Sequence, residues 1–286
     1  MGHHEMGKFA RSWALAKASF GILRADKELL VFPLVSAVAV LLVCASFVLP
    51  MFGLGLFRGM QDGEGMQPVF YLWLFAFYLV QYFVIFFFNA ALVGAAMVRL
   101  DGGDPTVGMG LRIAAGKWKQ ILGYVAIAAT VGMLLRALEQ RAGFLGRIVI
   151  GLIGVAWTLA TFLTVPLLVA RDIGPIDAVK ESAGLLGKTW GENLIGNGGI
   201  GIAMMLLNLL LVLSGAAIVV FLAVNGLAAG AIAVGVLVVL AALALALVHS
   251  ALSGIYSAAL YRYAVQGEAP AGFDGPLLRE AFQRKL

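Results

Sequence analysis

The amino-acid sequence predicts an all-α integral membrane protein with six transmembrane helices and three cytoplasmic amphipathic elbow helices. These are expected to form three units, each an elbow plus two spans, within a single polytopic membrane domain over residues 1–286. Three observations predict this. Six apolar stretches approach or exceed the roughly 20 residues that a helix needs to cross a bilayer. The basic residues fall mostly on one side of those stretches. An amphipathic run containing a tryptophan precedes the first, third and fifth stretch. Composition agrees: 62% of the residues are hydrophobic and 12% charged, where a soluble domain carries about 25% charged.

In chain order, residues 1–30 form the first amphipathic segment, with Phe9, Trp13, Ala16, Phe20 and Leu23 on one helical stripe. It has no short apolar run directly behind a compact basic start, so no signal peptide is expected. The spans follow at residues 31–57, 69–98, 120–135, 148–170, 194–224 and 228–263. Before the third, Val107, Leu111, Ala114, Trp118 and Ile121 repeat the stripe. Before the fifth, so do Ile176, Val179, Ala183, Leu186 and Trp190. Asp104 and Pro105 predict a helix opening, with Asp as cap and Pro as first helical residue; Gly174 and Pro175 predict a weaker one. Gly116, Gly187 and Gly191 would weaken a helix running straight into the next span, which favours separate elbows over extensions of the spans. Asn225 and Gly226 serve as the whole turn between the last two spans. The sixth span exceeds the hydrocarbon thickness and is expected to tilt or project, and residues 264–286 form a tail.

Lysine and arginine counts set the orientation. The N-terminal segment, the two loops after spans two and four, and the tail hold sixteen of the 20 basic residues; Arg58, Arg136, Arg141 and Arg147 lie on the other side. The positive-inside rule then makes both termini cytoplasmic. The single cysteine, Cys44, excludes an internal disulfide and a cysteine-based zinc site.

Particular motifs carry a resemblance. The run from Phe9 to Trp13, then Ile22, Leu23 and Arg24, then KELLVFP ending at Pro33, resembles the start of an uncharacterised bacterial six-span membrane protein family, a domain of unknown function. The segments from Ser253 to Tyr256 and from Ala259 to Ala264, closing with Gly267, resemble the end of that family. Pro175, Ala178, Ser182, Leu185 and Trp190 are similar to the pattern in the membrane domain attached to some glycerophosphodiester phosphodiesterases. The resemblance implies a six-span fold in a bacterial inner membrane and supplies no established activity to carry over. The chain has no phosphodiesterase domain, so that chemistry does not transfer.

Two sets of residues are candidates for function. His249 is an ionisable residue within a span and by default a functional candidate; the plain reading is a neutral histidine bonded to a serine or a carbonyl. Asn89, Thr161, Thr164 and Asn208 would join it if they converge, as a polar cluster in the inner half of the bundle. Ser250, Ser253 and Ser257 flank Gly254, which equally describes close helix packing, and Gly226 with Gly230 forms a small-residue pair. Span two carries eleven aromatics from Phe70 to Phe88, a wall toward lipid or neighbouring helices. The second set is interfacial: Trp13, Lys117, Trp118, Lys119, Lys188 and Trp190 are placed to meet anionic headgroups.

Catalysis is not expected. The carboxylates stay in loops, tails and elbows, Asp101 and Asp104 have no histidine or cysteine beside them, and no nucleophile–base set or P-loop appears. The expected function is a non-catalytic inner-membrane protein that meets lipids or partner proteins through its elbows, with no cofactor, metal or nucleic acid. A second copy of the chain or another membrane protein is the expected protein partner. The alternative is a small-solute transporter or channel built on the polar cluster.

Overall fold

The computed structural model describes residues 8–53, 68–187, 190–267, 270 and 273. Among them the chain is helical, without strands. In order come α1 (Lys8–Ala25), a 3-10 turn (Lys27–Leu30), α2 (Val31–Gly53), α3 (Pro68–Leu100), α4 (Val107–Gly116), α5 (Trp118–Arg141), α6 (Phe144–Ala160), α7 (Thr164–Ala170), α8 (Pro175–Gly187), α9 (Trp190–Val224) and α10 (Ala228–Gln266). Six candidate spans are long and apolar enough to cross a membrane, and α6 with α7 makes one of them. A helix satisfies its own backbone polar groups, so apolar runs of this length can lie in hydrocarbon.

The capping chemistry between the short helices is local and specific. After α1, Asp26 turns extended and its side chain accepts from the Glu28 amide at 3.2 Å, opening the 3-10 turn. Burial raises the Asp26 carboxyl above its ordinary pKa, against the lowering effect of that amide and of Arg99. Glu28 reaches across 79 positions of sequence to accept the Val107 amide at 3.0 Å, where the partial positive charge of the α4 N-terminus favours a carboxylate. The cap of α4 is Thr106, whose hydroxyl accepts from Met109 at 3.2 Å. This corrects the expected opening at Asp104 and Pro105: both precede the helix, Asp104 exposed and Pro105 buried. Thr106, a weaker cap than Asp in general, is the residue directly before the helix, and Glu28 takes the first free amide.

A single non-helical residue, Lys117, divides α4 from α5. Trp118 therefore heads the span instead of ending the short helix. The third span, expected at 120–135, runs as helix to Arg141 and carries Arg136, Glu139 and Gln140 with it. The turn after α9 is as expected: Gly226 takes φ +74°, and the Asn225 side chain donates to the Phe221 carbonyl at 2.8 Å. Gly226 is thus turn, not half of a helical small-residue pair with Gly230.

Span four departs most from expectation. It breaks at Thr161, Phe162 and Leu163. Pro166 lacks an amide hydrogen, and its ring opposes the carbonyl four residues back, at Phe162. The chain tightens there, with Phe162 N donating to Leu159 O at 3.1 Å and Thr164 N to Thr161 O at 3.0 Å. The Leu163 amide, left without its helical partner, donates to the Ser182 hydroxyl of α8 at 3.1 Å.

The core sits at the end of the bundle that carries α1, α4 and α8. Buried side chains there include Leu92 of α3, Leu163 and Leu167 around the break, Ile255 and Tyr256 of α10, and Leu15 and Leu23 of α1. α3 packs against α2, α4, α5, α7 and α10, while α9 pairs with α10 and α1. Toward the opposite end large apolar residues stay uncovered, with Phe144 79% and Val224 81% exposed, as lipid-facing residues are. The predicted stripes coincide with the packed faces only in part. Leu23, Ala114, Ile121 and Leu186 are buried as the stripes require, but Phe20, Trp118 and Ile176 are exposed, while Ser19, Gly110, Ala178 and Ser182, off the stripes, are buried. In lipid a large apolar side chain has no need to turn inward, and close helix contact selects small residues.

Candidate functional site

A cavity of about 960 Å³ lies between α3, α5, α6 and α10, roofed by the start of α2 at Pro33 and Ser36. It exists because α6 packs on α5 and α8 instead of on α3 or α10. The break after α6 then swings the chain back, so that α7 closes on α3.

Three of the five residues expected in the polar cluster meet here. Asn89 from α3, Thr161 at the break and His249 from α10 all line the cavity. Gly254 lets α10 approach α3 closely: a Cβ there would lie 2.5 Å from Leu92 Cδ2 and 3.6 Å from Asn89 Oδ1. His249 Nδ1 is buried with no hydrogen-bond partner among the described residues. Thr161 donates to the Trp157 carbonyl at 2.9 Å and has Tyr124 as a side-chain partner. The other two residues do not join. Thr164 is fully buried behind the break, its hydroxyl without a partner among the described residues, and does not line the cavity. Asn208 is half-buried on α9, which contributes nothing to the lining. α9 reaches the bundle through α10 and α1, too far round to deliver it.

Sequence reasoning placed Ser250, Ser253 and Ser257 beside His249; all three line the cavity, and Ser257 also donates to the Gly254 carbonyl at 2.8 Å. It missed Tyr124, Trp157 and Thr158, which line it as well. The signal for Tyr124 lies in the aromatic run of α3: Tyr78, Tyr82 and Phe86 follow one another at helical spacing, and Phe86 meets Tyr124 edge-on at 5.0 Å. The lining offers hydroxyl, amide and imidazole groups among aromatic and aliphatic walls. Among the described residues that line it there is no Asp, Glu, Lys or Arg. Among the described residues no group of three or more His, Cys, Asp or Glu could hold a metal.

The interfacial candidates divide. Lys117 is turned inward, donating to Asp172 at 3.1 Å and to the Arg171 carbonyl at 3.0 Å, which leaves it little freedom to meet a headgroup. Trp118 and Lys119 are exposed, the ammonium of Lys119 lying 5.7 Å from the Trp118 ring centre. Trp13 stands on α1 and Trp190 begins α9, placed by backbone alone; Lys188 lies outside the described residues. Asp101 pairs with Arg262, tying the turn after α3 to the end of α10, while Arg171 pairs with Glu181 of α8.

Six apolar spans, with a neutral polar cavity between four of them, define the class: a multi-pass helical membrane protein with a binding-sized recess inside its bundle. Residues 68–273 match the model of a family of unknown function, DUF6159, and the chain belongs to that family. No curated protein and no solved structure matches it. The match agrees with the expected uncharacterised family; the expected likeness to glycerophosphodiester phosphodiesterase membrane domains is not among the matches.

Proposed function

We propose that this is a non-catalytic protein of the bacterial inner membrane that binds a lipid-like molecule in the cavity between α3, α5, α6 and α10. The observation that carries the reading is the convergence of Asn89, Thr161 and His249 on one recess of about 960 Å³, at a helix break. Non-helical backbone at membrane depth is tolerated where it lines a cavity or is buried in protein, and broken spans recur at binding sites. Both termini are cytoplasmic in this reading, from the excess of lysine and arginine on their side. α1, α4 and α8 then act as elbows at the inner interface, with exposed Trp118 and Lys119 toward anionic headgroups.

Transport of a small uncharged solute is the second reading, favoured by the same break in span four. Native mass spectrometry of the protein, released from its own membrane in mild detergent, separates the two. A defined bound lipid, lost from the double variant Asn89→Leu/His249→Leu, is the expected result. A retained small polar solute in its place moves the function to transport, and a lipid equally retained by the double variant overturns the assignment of the site.

A further inference from the structure

The chemistry of the lining narrows the class of ligand, an inference that rests on the lipid-binding reading above. Among the described residues charged groups gather at the two ends of the bundle: Lys117, Arg171 and Arg262, each paired with a carboxylate, at the end that carries the short helices, and the exposed Arg136, Glu139, Arg141 and Arg147 at the other. No described charged residue lines the cavity. A phosphate or carboxylate drawn into it would shed its water with no cation to replace the lost solvation. A hydroxyl or amide would exchange its hydrogen bonds nearly evenly, and would meet Asn89, Thr161 and the His249 imidazole, whose Nδ1 has no partner among the described residues.

The other half of the lining is apolar. Ile85 of α3 and Val155 of α6 both border the cavity and both remain exposed, at 42% and 53%. Their helices share no extensive packing, so the recess opens sideways between them, toward where the hydrocarbon would lie. The core around Leu92, Leu163 and Ile255 closes it toward the short helices. We infer that the site takes an uncharged, single-headed amphiphile. Its hydroxyl or amide head is held by Asn89, Thr161 and His249, and its chain leaves between α3 and α6 into the bilayer.

Trp157 borders the cavity and reports on it. The test uses the full chain in mild detergent and three probes that share one brominated acyl chain: a monoacylglycerol, the free fatty acid and a lysophosphatidic acid. The readout is the part of the fluorescence quenching that disappears in Trp157→Phe. The monoacylglycerol is expected to quench saturably and to bind about tenfold more tightly than either anion. His249→Leu should weaken it about tenfold, and His249→Gln, which keeps a hydrogen-bonding head, should restore most of the loss. Anions binding as tightly as the monoacylglycerol would overturn the neutral-head assignment and leave the lipid-binding reading intact. Full affinity in a folded His249→Leu would overturn the role of His249. Quenching at Trp157 by none of the three probes would overturn the lipid-binding reading itself.

Discussion

Ser182 holds an amide that the sequence near Pro166 has orphaned. The residue is fully buried and its hydroxyl is the acceptor for Leu163 N. A buried donor left unsatisfied costs about 1–3 kcal/mol, so Ser182→Ala should lower stability by that order, read as a lower midpoint of thermal unfolding in detergent. Ser214 is the matching control. It is exposed, and its hydroxyl only folds back onto the Leu210 carbonyl of its own helix, so Ser214→Ala should leave the midpoint nearly unchanged. Equal losses in the two variants would remove Ser182 from this role. The sequence showed Ser182 as one member of a motif, with no sign of its partner, because the partner is a backbone amide created by a break 19 positions away.

At the scale of the element, α4 shows what an amphipathic stripe leaves out: Val107, Leu111 and Ala114 do pack inward, but so does a glycine off the stripe. Its tightest contact is made by a glycine: a Cβ at Gly110 would lie 2.5 Å from Phe32 Cζ and 2.7 Å from the Ala91 carbonyl oxygen. The carbonyl is backbone and cannot swing aside. Gly108, two residues earlier on the same helix, faces open space. The two positions should therefore respond with opposite signs. Gly110→Ala forces α4 away from α3 and should destabilise the protein by about 1–3 kcal/mol. Gly108→Ala should be neutral or stabilising by up to about 1 kcal/mol, from the better helix propensity of alanine. Both are read from the same unfolding midpoints. The pattern rule that large apolar residues mark the packed face assumes water on the other side. Where the other side need not be water, Phe20 and Ile176 turn outward although they lie on the stripes, and Gly110 and Ala178, off them, join the contact.

For the whole molecule, the elements that a sequence could reveal were those set by length and apolarity. All six spans were legible that way, as was the turn at Asn225 and Gly226, because hydrocarbon thickness constrains a chain locally. The cavity was legible only in part. His249, Asn89 and Thr161 stood out as polar groups in apolar runs, but whether they converge depends on how α6 leans away from α3 and α10, which no local pattern encodes. Asn208 looked equivalent and is carried on the wrong helix. The orientation in the membrane rests on the basic-residue count, and site-directed labelling tests it. With Cys44→Ser removing the single cysteine, a cysteine can be introduced at Gly143 or Leu227, both exposed in turns at the end away from the short helices. Another can replace Asp172, whose side chain is 88% exposed at the opposite end. A membrane-impermeant maleimide added to spheroplasts should modify Gly143→Cys and Leu227→Cys directly, and Asp172→Cys only after the inner membrane is opened. The reverse pattern would place both termini outside. Direct labelling of all three positions would mean that the loops at the two ends of the bundle are not separated by a bilayer, and the six-span reading would fall with the orientation.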